Sequence, residues 1–376
     1  MTNRSRRHFI KLAAGAAACA VGQARSEDNS RTFSFILLGD LHFDQLEHHD
    51  FNWLSENHPG DLSQIKNYSK LTSETMPGLF AALKAQIAKL KNSDTPPAFV
   101  VQVGDLVEGL CGNEELAMRQ NREALGFIRK ADLGLPFLFT KGNHDVTGYG
   151  ATQAFDNTLL PFMKSQAEAI DAKSTRSNAN YAITCNDAQF VFFDAYDKES
   201  LDWLQSIAEN RSAKNWFLVV HLPVVPYGAR AMWHLYSDEK SSAKRTKLLE
   251  ILGNQTAIVL GGHLHKFSAL TRVVGKNRFT QLAVSSVVSA LDETPRDALH
   301  GVDKYTGDQV KLEPHHSPTT EEQRRAIYDS ERRQVTHFEY ANSAGFAVIT
   351  INAGRVEAAL HSGARQTAFQ QVLLSS

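Results

Sequence analysis

Residues 33–43 read FSFILLGDLHF, an apolar run that ends at a glycine and is followed at once by Asp40 and His42. A short apolar run bounded by a glycine is typical of a buried strand, here Phe33–Leu38. The two polar side chains therefore lie at the carboxyl end of that strand. In α/β proteins this edge of the sheet is where functional side chains gather.

Four further blocks repeat this arrangement along the chain. A short apolar run precedes Asp105 in VVQVGDLVEG (100–109), Asn143 in TKGNHD (140–145), His221 in LVVHLP (218–223), and His263 with His265 in VLGGHLH (259–265). Each run predicts a buried strand with polar residues at its exposed end. An isolated histidine is usually a core or surface residue, but three histidines that each follow a strongly apolar run rarely coincide by chance.

The five blocks together supply two carboxylates, one amide and four imidazoles. This set of ligand atoms suits borderline transition metals such as zinc, manganese or iron. The Gly261-Gly262 pair allows the tight backbone path that aims two histidines at one site. The pattern therefore predicts a two-metal hydrolase.

The order Asp-x-His, Gly-Asp, Gly-Asn-His-Asp, His and Gly-His-x-His resembles the calcineurin-like metallophosphoesterase superfamily over roughly residues 35–285. The resemblance implies hydrolysis of phosphate mono- or diesters by attack of a metal-bridging hydroxide, with two ions stabilising an in-line displacement. It assigns metal-binding roles to seven residues: Asp105 as the bridge, Asp40, His42 and His265 for one ion, and Asn143, His221 and His263 for the other.

The same resemblance makes His144 the catalytic histidine, which contacts a phosphate oxygen and protonates the leaving group. Such a histidine needs a carboxylate to orient it. In the phosphoprotein phosphatases an aspartate lies three residues after the bridging carboxylate; in this chain the position is Glu108, one methylene longer. Asp145 is the competing orienter, and the alternative for Glu108 is a solvated loop residue.

The blocks also differ from those of several branches of the superfamily. The chain lacks the Asp-Arg pair of the phosphoprotein phosphatases and the iron-binding tyrosine of the purple acid phosphatases. The pattern is closer to small phosphoesterases and cyclic-nucleotide phosphodiesterases, and it leaves monoesters and diesters both open. After His221, the loop with Tyr227, Trp233 and Tyr236 either stacks on a base or sugar of a small phosphoester substrate or packs on the scaffold.

Alternating strand and helix patterns predict an α/β protein, a four-layer α/β/β/α sandwich with a dinuclear metal site at strand ends. The superfamily resemblance implies the same layering. We expect one such domain over residues 32–376. Residues of about 291–339 are polar and rich in His, Pro and Thr, which predicts a surface insertion, or alternatively a lid over the substrate.

The first 24 residues predict an export signal. Arg6-Arg7 is followed by Phe-Ile-Lys at 9–11, a short apolar stretch, and a small residue, Ala24. The apolar stretch is too short to span a membrane, and the paired arginines resemble a bacterial twin-arginine signal. We therefore expect a periplasmic or extracellular protein with the twin-arginine export machinery as a partner. Lipid anchoring at Cys19 is a minor alternative.

Charge and cysteine content narrow the function further. Removing residues 1–24 takes the formal net charge from −1 to −5. A mildly acidic protein does not favour stable nucleic-acid binding, which relies on clustered Lys and Arg, so an exported nuclease is only the alternative. A non-catalytic binding protein of the same fold is the weaker alternative, because it predicts damaged ligand blocks.

Cys111 and Cys185 are expected to be separate buried thiols.

Overall fold

The strands of the computed structural model form two sheets. The structure describes residues 32–375 except 212, 313–318 and 353, so the predicted export signal lies outside the described residues. Sheet 1 consists of β1 (Phe33–Leu38), β2 (Pro97–Gln102), β3 (Phe137–Phe139), β13 (Gly345–Asn352), β14 (Arg355–Ser362) and β15 (Gln370–Ser375). Its spatial order is β15-β14-β13-β1-β2-β3, with β1, β2 and β3 mutually parallel.

Sheet 2 is wider and mixes parallel with antiparallel pairs. It consists of β4 (Thr175–Ser177), β5 (Asn180–Cys185), β6 (Ala188–Phe193), β7 (Asn215–Val220), β8 (Ile258–Gly261), β9 (Phe267–Val274), β10 (Asn277–Ala283), β11 (Arg296–His300) and β12 (Val335–Asn342). Their spatial order is β11-β12-β9-β10-β8-β7-β6-β5-β4. Because β7 is parallel to β8, the carboxyl ends of these two strands meet at one edge.

Aromatic side chains join the two sheets face to face. The ring of Phe35 on β1 meets the ring of Phe190 edge-on at 5.2 Å and that of Phe217 at 5.8 Å. Phe190 and Phe217 stack on each other at 4.5 Å, and all three side chains are fully buried. Edge-to-face and stacked pairs of this kind contribute beyond the area they bury, so this cluster fixes how the sheets pack.

Alternation along β7 explains why helices cover the outer faces. Phe217 and Val219 lie in the core between the sheets, whereas Leu218 and Val220 lie in a second core under the helices. Successive strand side chains point to opposite faces, so a strand apolar at every position is buried on both. The described helices are α1 (Phe51–Asn57), α2 (Leu62–Glu74), α3 (Met76–Leu90), α4 (Glu114–Ala131), α5 (Ala151–Ala154), α6 (Leu160–Ile170), α7 (Ser200–Glu209), α8 (Ser242–Gln255) and α9 (Glu321–Glu331).

The predicted four-layer α/β/β/α sandwich is confirmed by the distribution of the two cores. Apolar residues of α3 and α4, such as Leu83 and Leu125, join the core of sheet 1. On the other side, Leu204 of α7 and Leu248 of α8 cover sheet 2. The two sheets are therefore enclosed between helical layers.

Helix α4 shows how local sequence defines an element. Its buried residues recur every three or four positions, which gives one apolar face. The side chain of Asn113 caps the amino end by accepting a hydrogen bond from the backbone N–H of Leu116, and Asp132 ends the helix in a left-handed conformation. Acidic residues in the first turn and basic residues in the last complement the helix dipole.

Neither membrane-spanning helices nor a disulfide bond is found among the described residues. None of their helices combines the length and the apolar character that crossing a bilayer would require. Cys111 and Cys185 are separate buried thiols, as predicted from the sequence.

The segment 291–339 differs from the expected surface insertion. Tyr305, Tyr328 and Phe338 are fully buried in the outer core of sheet 2. The segment also contributes α9 and most of β12, which pairs with β9 inside the sheet. Its few apolar side chains are large and widely spaced among charged ones. Their spacing therefore does not predict that they contribute to the core.

Candidate metal centre

All five sequence blocks follow strands that end at the same edge of the molecule. Asp40 and His42 follow β1, Asp105 follows β2, Asn143 follows β3, His221 follows β7, and His263 and His265 follow β8. The first three of these strands are parallel within sheet 1, and the last two are parallel within sheet 2. Since parallel strands end together, the topology brings residues from both sheets to one site.

The ligand atoms form overlapping clusters. Within each of three groups these atoms lie within 4.8 Å of one another: Asp40, His42 and His265; His42, Asp105 and His144; and Asp105, His221 and His263. The amide oxygen of Asn143 lies 3.0 Å from Nε2 of His221, so Asn143 joins the third group. The structure therefore brings together all seven residues that the sequence singled out.

The Nδ1 contacts of two histidines make these clusters suitable for cations. Nδ1 of His42 lies 2.6 Å from Oε2 of Glu108, and Nδ1 of His221 lies 3.0 Å from the carbonyl of Val103. In its neutral form, a ring that donates from Nδ1 presents Nε2 as a ligand atom, and such second contacts are typical of metal-binding histidines. Each Nε2 then faces another ring nitrogen, at 3.0 Å in His265 and at 3.1 Å in His263.

One carboxylate oxygen gives an independent indication that the site fits a cation. Oδ2 of Asp40 is buried and has no hydrogen-bond partner among the described residues. A buried, unpaired carboxylate oxygen is costly unless it binds a cation. Together with the converging imidazoles, it makes this donor set fit divalent or transition metal ions.

The backbone is left-handed at four of the seven positions. The φ angles are +47° at His42, +54° at Asp105, +71° at His263 and +55° at His265. A residue other than glycine rarely adopts this conformation, and each instance costs roughly 1–3 kcal/mol. The fold therefore holds these side chains in strained turns that aim them at one point.

Two glycines are required by close approach to the carboxylates. A Cβ at Gly142 would collide with the backbone nitrogen and the side chain of Asp105. A Cβ at Gly262 would lie 2.8 Å from Oδ2 of Asp40. Both glycines come from the quoted blocks, so the blocks specify the space around the ligands as well as the ligands.

Asp145 has a structural role that the sequence did not indicate. Its carboxylate accepts hydrogen bonds from the backbone N–H groups of Asp105, Leu106, Val107 and Gly142 at 2.8–3.1 Å. Burial, followed by the charge of Asp105, raises the pKa of Asp145 to about 6. Because its oxygens hold the turn at Asp105, the idea that Asp145 orients His144 is wrong.

His144 is oriented chiefly by the main chain. Its Nδ1 lies 2.8 Å from the carbonyl oxygen of Glu108 and 3.3 Å from the Oε2 of the same residue. The Glu108 side chain is fully buried, contacts His42 at 2.6 Å and accepts a hydrogen bond from Gln64. Glu108 is thus not a solvated loop residue, and it serves two histidines at once.

The residues of the cluster differ in the direction in which their pKa values are shifted. Burial lowers the pKa of His263 to about 3, with further lowering by His221 and Arg230. Burial also raises the pKa of Asp40. For His144, burial lowers the pKa, but the charges of Glu108 and Asp105 outweigh it and raise the value to about 9. His263 is therefore uncharged, the form in which imidazole binds metal.

Aromatic side chains surround the clusters, and one of them, Tyr68, had no signal in the sequence. Tyr68 on α2 stacks on the ring of His42 at 4.2 Å, and its hydroxyl lies 3.4 Å from Nδ1 of His265. In the loop after β7, Tyr227 is fully buried and packs on the scaffold. Trp233 is half-buried, and its ring lies 5.7 Å from that of His263. The scaffold interpretation therefore holds for Tyr227.

Solved structures with a similar fold include several phosphatases. A purple acid phosphatase from yellow lupin (Lupinus luteus) seeds matches with a TM-score of 0.52 at 11% identity, over 92% of this chain and 54% of its own. PhoD matches at 0.51 and 10%, over 91% and 68% of the two chains. A dimetal phosphatase from Danio rerio matches at 0.50 and 13%, over 92% and 99%. This chain thus spans about half the length of the lupin protein, and the likeness concerns the fold.

Comparison by sequence gives the family itself. No curated protein sequence matches the chain. Residues 33–267 match the family model described as calcineurin-like phosphoesterase. This range covers more than half of the chain and contains all five blocks whose side chains meet at the strand ends. The protein therefore belongs to the calcineurin-like phosphoesterase family, hydrolases that act on phosphoric ester bonds with the help of divalent or transition metal ions.

Proposed function

We propose that the protein hydrolyses small phosphate esters at a centre that binds two metal ions, with Asp105 as the shared ligand. The observation that carries this proposal is the position of the Asp105 carboxylate. Its Oδ2 lies 3.0 Å from Nε2 of His221 and 3.7 Å from Nε2 of His42, so one carboxylate faces both groups of ligands. A carboxylate in this position could be shared by two ions and would offset the charge of both.

The other ligands divide around Asp105. Asp40, His42 and His265 would hold one ion, and Asn143, His221 and His263 the second, with manganese, iron or zinc as the candidates. The chemistry that two ions would supply there is the acidification of a water as nucleophile and the neutralisation of charge on the phosphoryl group. The chain itself orients these groups through Glu108, Val103 and Asp145, whose contacts fix the imidazoles and the Asp105 turn.

His144 is proposed as the catalytic residue that delivers a proton to the leaving oxygen. Its Nδ1 is engaged by Glu108, which leaves Nε2 to face the substrate. Its side chain is 18% exposed, whereas the side chain of His221 is fully buried. A partly accessible histidine beside a metal centre is well placed for general acid catalysis, and Glu108 is its positioning residue.

Asp105→Asn tests the two-metal proposal. Removing the shared negative charge should lower the metal content from two ions per chain and reduce ester hydrolysis by orders of magnitude. Metal content by elemental analysis and turnover should fall together. The matched control is Asp303→Asn at an exposed position, which should change neither quantity.

Full activity with an unchanged metal content in Asp105→Asn would overturn the proposal. Far-UV circular dichroism should confirm that both variants are folded. Assays of the metal-loaded protein should cover phosphomonoesters, cyclic nucleotides, phosphodiesters and nucleic acid. Turnover of nucleic acid alone would favour the exported nuclease instead.

We also propose that residues 1–24 direct export and that one metallophosphoesterase domain spans 32–376. Support comes from the paired arginines in the sequence and from the absence of acidic residues before position 25. A periplasmic or extracellular location follows, with lipid attachment at Cys19 as the lesser alternative.

A further inference from the structure

Arg230 lies beside the proposed metal centre without taking part in it. It belongs to the loop 222–237 that follows β7. Its guanidinium carbon is 5.1 Å from the centre of the Trp233 ring, and that ring is 5.7 Å from the ring of His263. Arg230 is half-buried, so the charged group is close to the site and still accessible to a ligand.

The guanidinium of Arg230 has no acidic partner among the described residues. Its Nε is buried and has no hydrogen-bond partner there. Arg245 and Arg272, the comparable half-buried arginines over sheet 2, both contact the carboxylate of Glu331 at 2.5 and 2.7 Å. Burying part of a charged group without a counter-charge is unfavourable. Arg230 therefore keeps the capacity to pair with an anion from outside the chain.

The backbone that carries Arg230 is held firmly. The Oε1 of Gln281 accepts hydrogen bonds from the N–H groups of residues 224 and 225, both at 2.8 Å. Tyr305 and Tyr328 donate to the carbonyls of residues 226 and 228, and Gln309 accepts from the N–H of residue 228. A binding residue on a loop with this many hydrogen bonds is pre-organised, because the loop loses little conformational freedom when a ligand binds.

We propose that Arg230 binds a terminal phosphate oxygen of the substrate and makes the enzyme selective for phosphate monoesters over diesters. This inference rests on the proposed phosphoesterase function. A monoester carries three terminal oxygens and close to two negative charges at neutral pH, as in phosphoserine. A diester has two terminal oxygens and one charge.

The planar fork of a guanidinium matches phosphate oxygens in pairs. Ions at the centre would already engage part of the phosphoryl group. The additional oxygen and charge of a monoester are what Arg230 can hold. In a diester, an esterified oxygen and its organic group would face the arginine instead. This oxygen carries no charge with which the guanidinium could pair.

Arg230→Gln, compared on two substrates with the same leaving group, tests the inference. The substrates are 4-nitrophenyl phosphate and bis(4-nitrophenyl) phosphate, assayed with the metal-loaded full chain. Loss of a charged hydrogen bond should lower kcat/KM for the monoester by about 10- to 100-fold. The diester should lose less than about 3-fold by the same argument, because it lacks the oxygen concerned. Arg278→Gln, at an exposed arginine on β10, is the matched control and should change neither value.

A binding measurement gives a second readout that does not depend on turnover. Calorimetric titration should show weaker binding of inorganic phosphate in Arg230→Gln and unchanged binding of dimethyl phosphate. Arg230→Lys should lie between the two, because an ammonium keeps the charge but loses the fork. Thermal unfolding of each variant should match the wild type, which excludes a general loss of folding.

The outcomes separate the two proposals. Wild-type protein that hydrolyses neither ester would overturn the proposed function, and the phosphate titration would still decide the role of Arg230. An active wild type with the same monoester-to-diester ratio in Arg230→Gln would overturn the Arg230 inference alone. So would equal weakening of phosphate and dimethyl phosphate, or no weakening of either.

Discussion

At the scale of single residues, the His144 side chain has the most direct chemical consequence. If it protonates the leaving group, His144→Asn should affect esters with basic leaving oxygens far more than nitrophenyl esters. General acid catalysis contributes roughly 10²–10⁴-fold when the leaving group needs the proton. We expect a loss in that range for an alkyl phosphate and a much smaller loss for 4-nitrophenyl phosphate, measured as kcat.

The exposed residue His300 provides the control, since His300→Asn should leave both rates unchanged. Equal losses of the two esters in His144→Asn would instead assign His144 to binding or charge stabilisation. Unchanged rates with both esters would remove it from the mechanism altogether.

The sequence predicts the convergence of the seven candidate ligands because each follows a strongly apolar strand at a defined place. It could not predict Tyr68, which reaches His42 from a helix with a mostly polar sequence. Arg230 was missed for a similar reason, since its proximity depends on how loop 222–237 folds back over β8. Nothing local distinguishes such a residue from any surface arginine.

At the scale of the elements, the ion pairs of Glu331 join α9 to the second sheet. One oxygen lies 2.5 Å from Arg245 of α8, and the other lies 2.7 Å from Arg272 of β9. Burial alone would raise the pKa of Glu331, but the two guanidinium groups outweigh it and lower the value. A lowered pKa in the folded state means that ionised Glu331 stabilises the fold.

Glu331→Gln should therefore destabilise the protein at pH 7, by about 3 kcal/mol, because it leaves two half-buried arginines without their carboxylate. The contribution is fully present above the ordinary pKa of about 4.5 and is lost as pH falls through the lower folded value. The free energy of unfolding from urea titration should thus differ strongly at pH 7 and much less near pH 3.

The matched variant is Glu322→Gln, at an exposed position of the same helix, which should change the free energy by less than about 0.5 kcal/mol at both pH values. A deficit in Glu331→Gln that stayed the same at both pH values would contradict the ionic explanation. It would point to packing rather than charge.

Elements with regular periodicity were predictable, and those with interruptions were not. The strands before the ligand blocks follow clear patterns, and the structure has strands at those places. In β12, a shift of register between Val335 and His337 breaks the two-residue alternation of a strand. The sequence therefore predicts this part of the chain as a surface insertion.

At the scale of the whole molecule, the site is complete only in the folded chain. Its proposed ligands are spread from Asp40 to His265 and come from both sheets. A site of this kind binds ions only after folding, so metal can be chosen in the compartment where the chain folds. Twin-arginine export, which moves folded proteins, suits such a site.

Replacement of Arg6 and Arg7 by lysine keeps the charge of the N-terminus and should block that route. The variant should accumulate in the cytoplasm as an active precursor that retains residues 1–24, as measured by cell fractionation and mass spectrometry. Arg4→Lys, outside the pair, should be exported normally. Undiminished periplasmic delivery of the double lysine variant would assign export to another pathway.

The position of β13 also sets the order in which the newly made chain can fold. β1, which leads to the first two candidate ligands, lies between β2 and β13 in its sheet, and β13 begins only at Gly345. During translation, β1 therefore cannot complete its pairing until β13 has been synthesised. Until then one edge of β1 is open to pairing with other chains, which is a route to aggregation for a newly made chain.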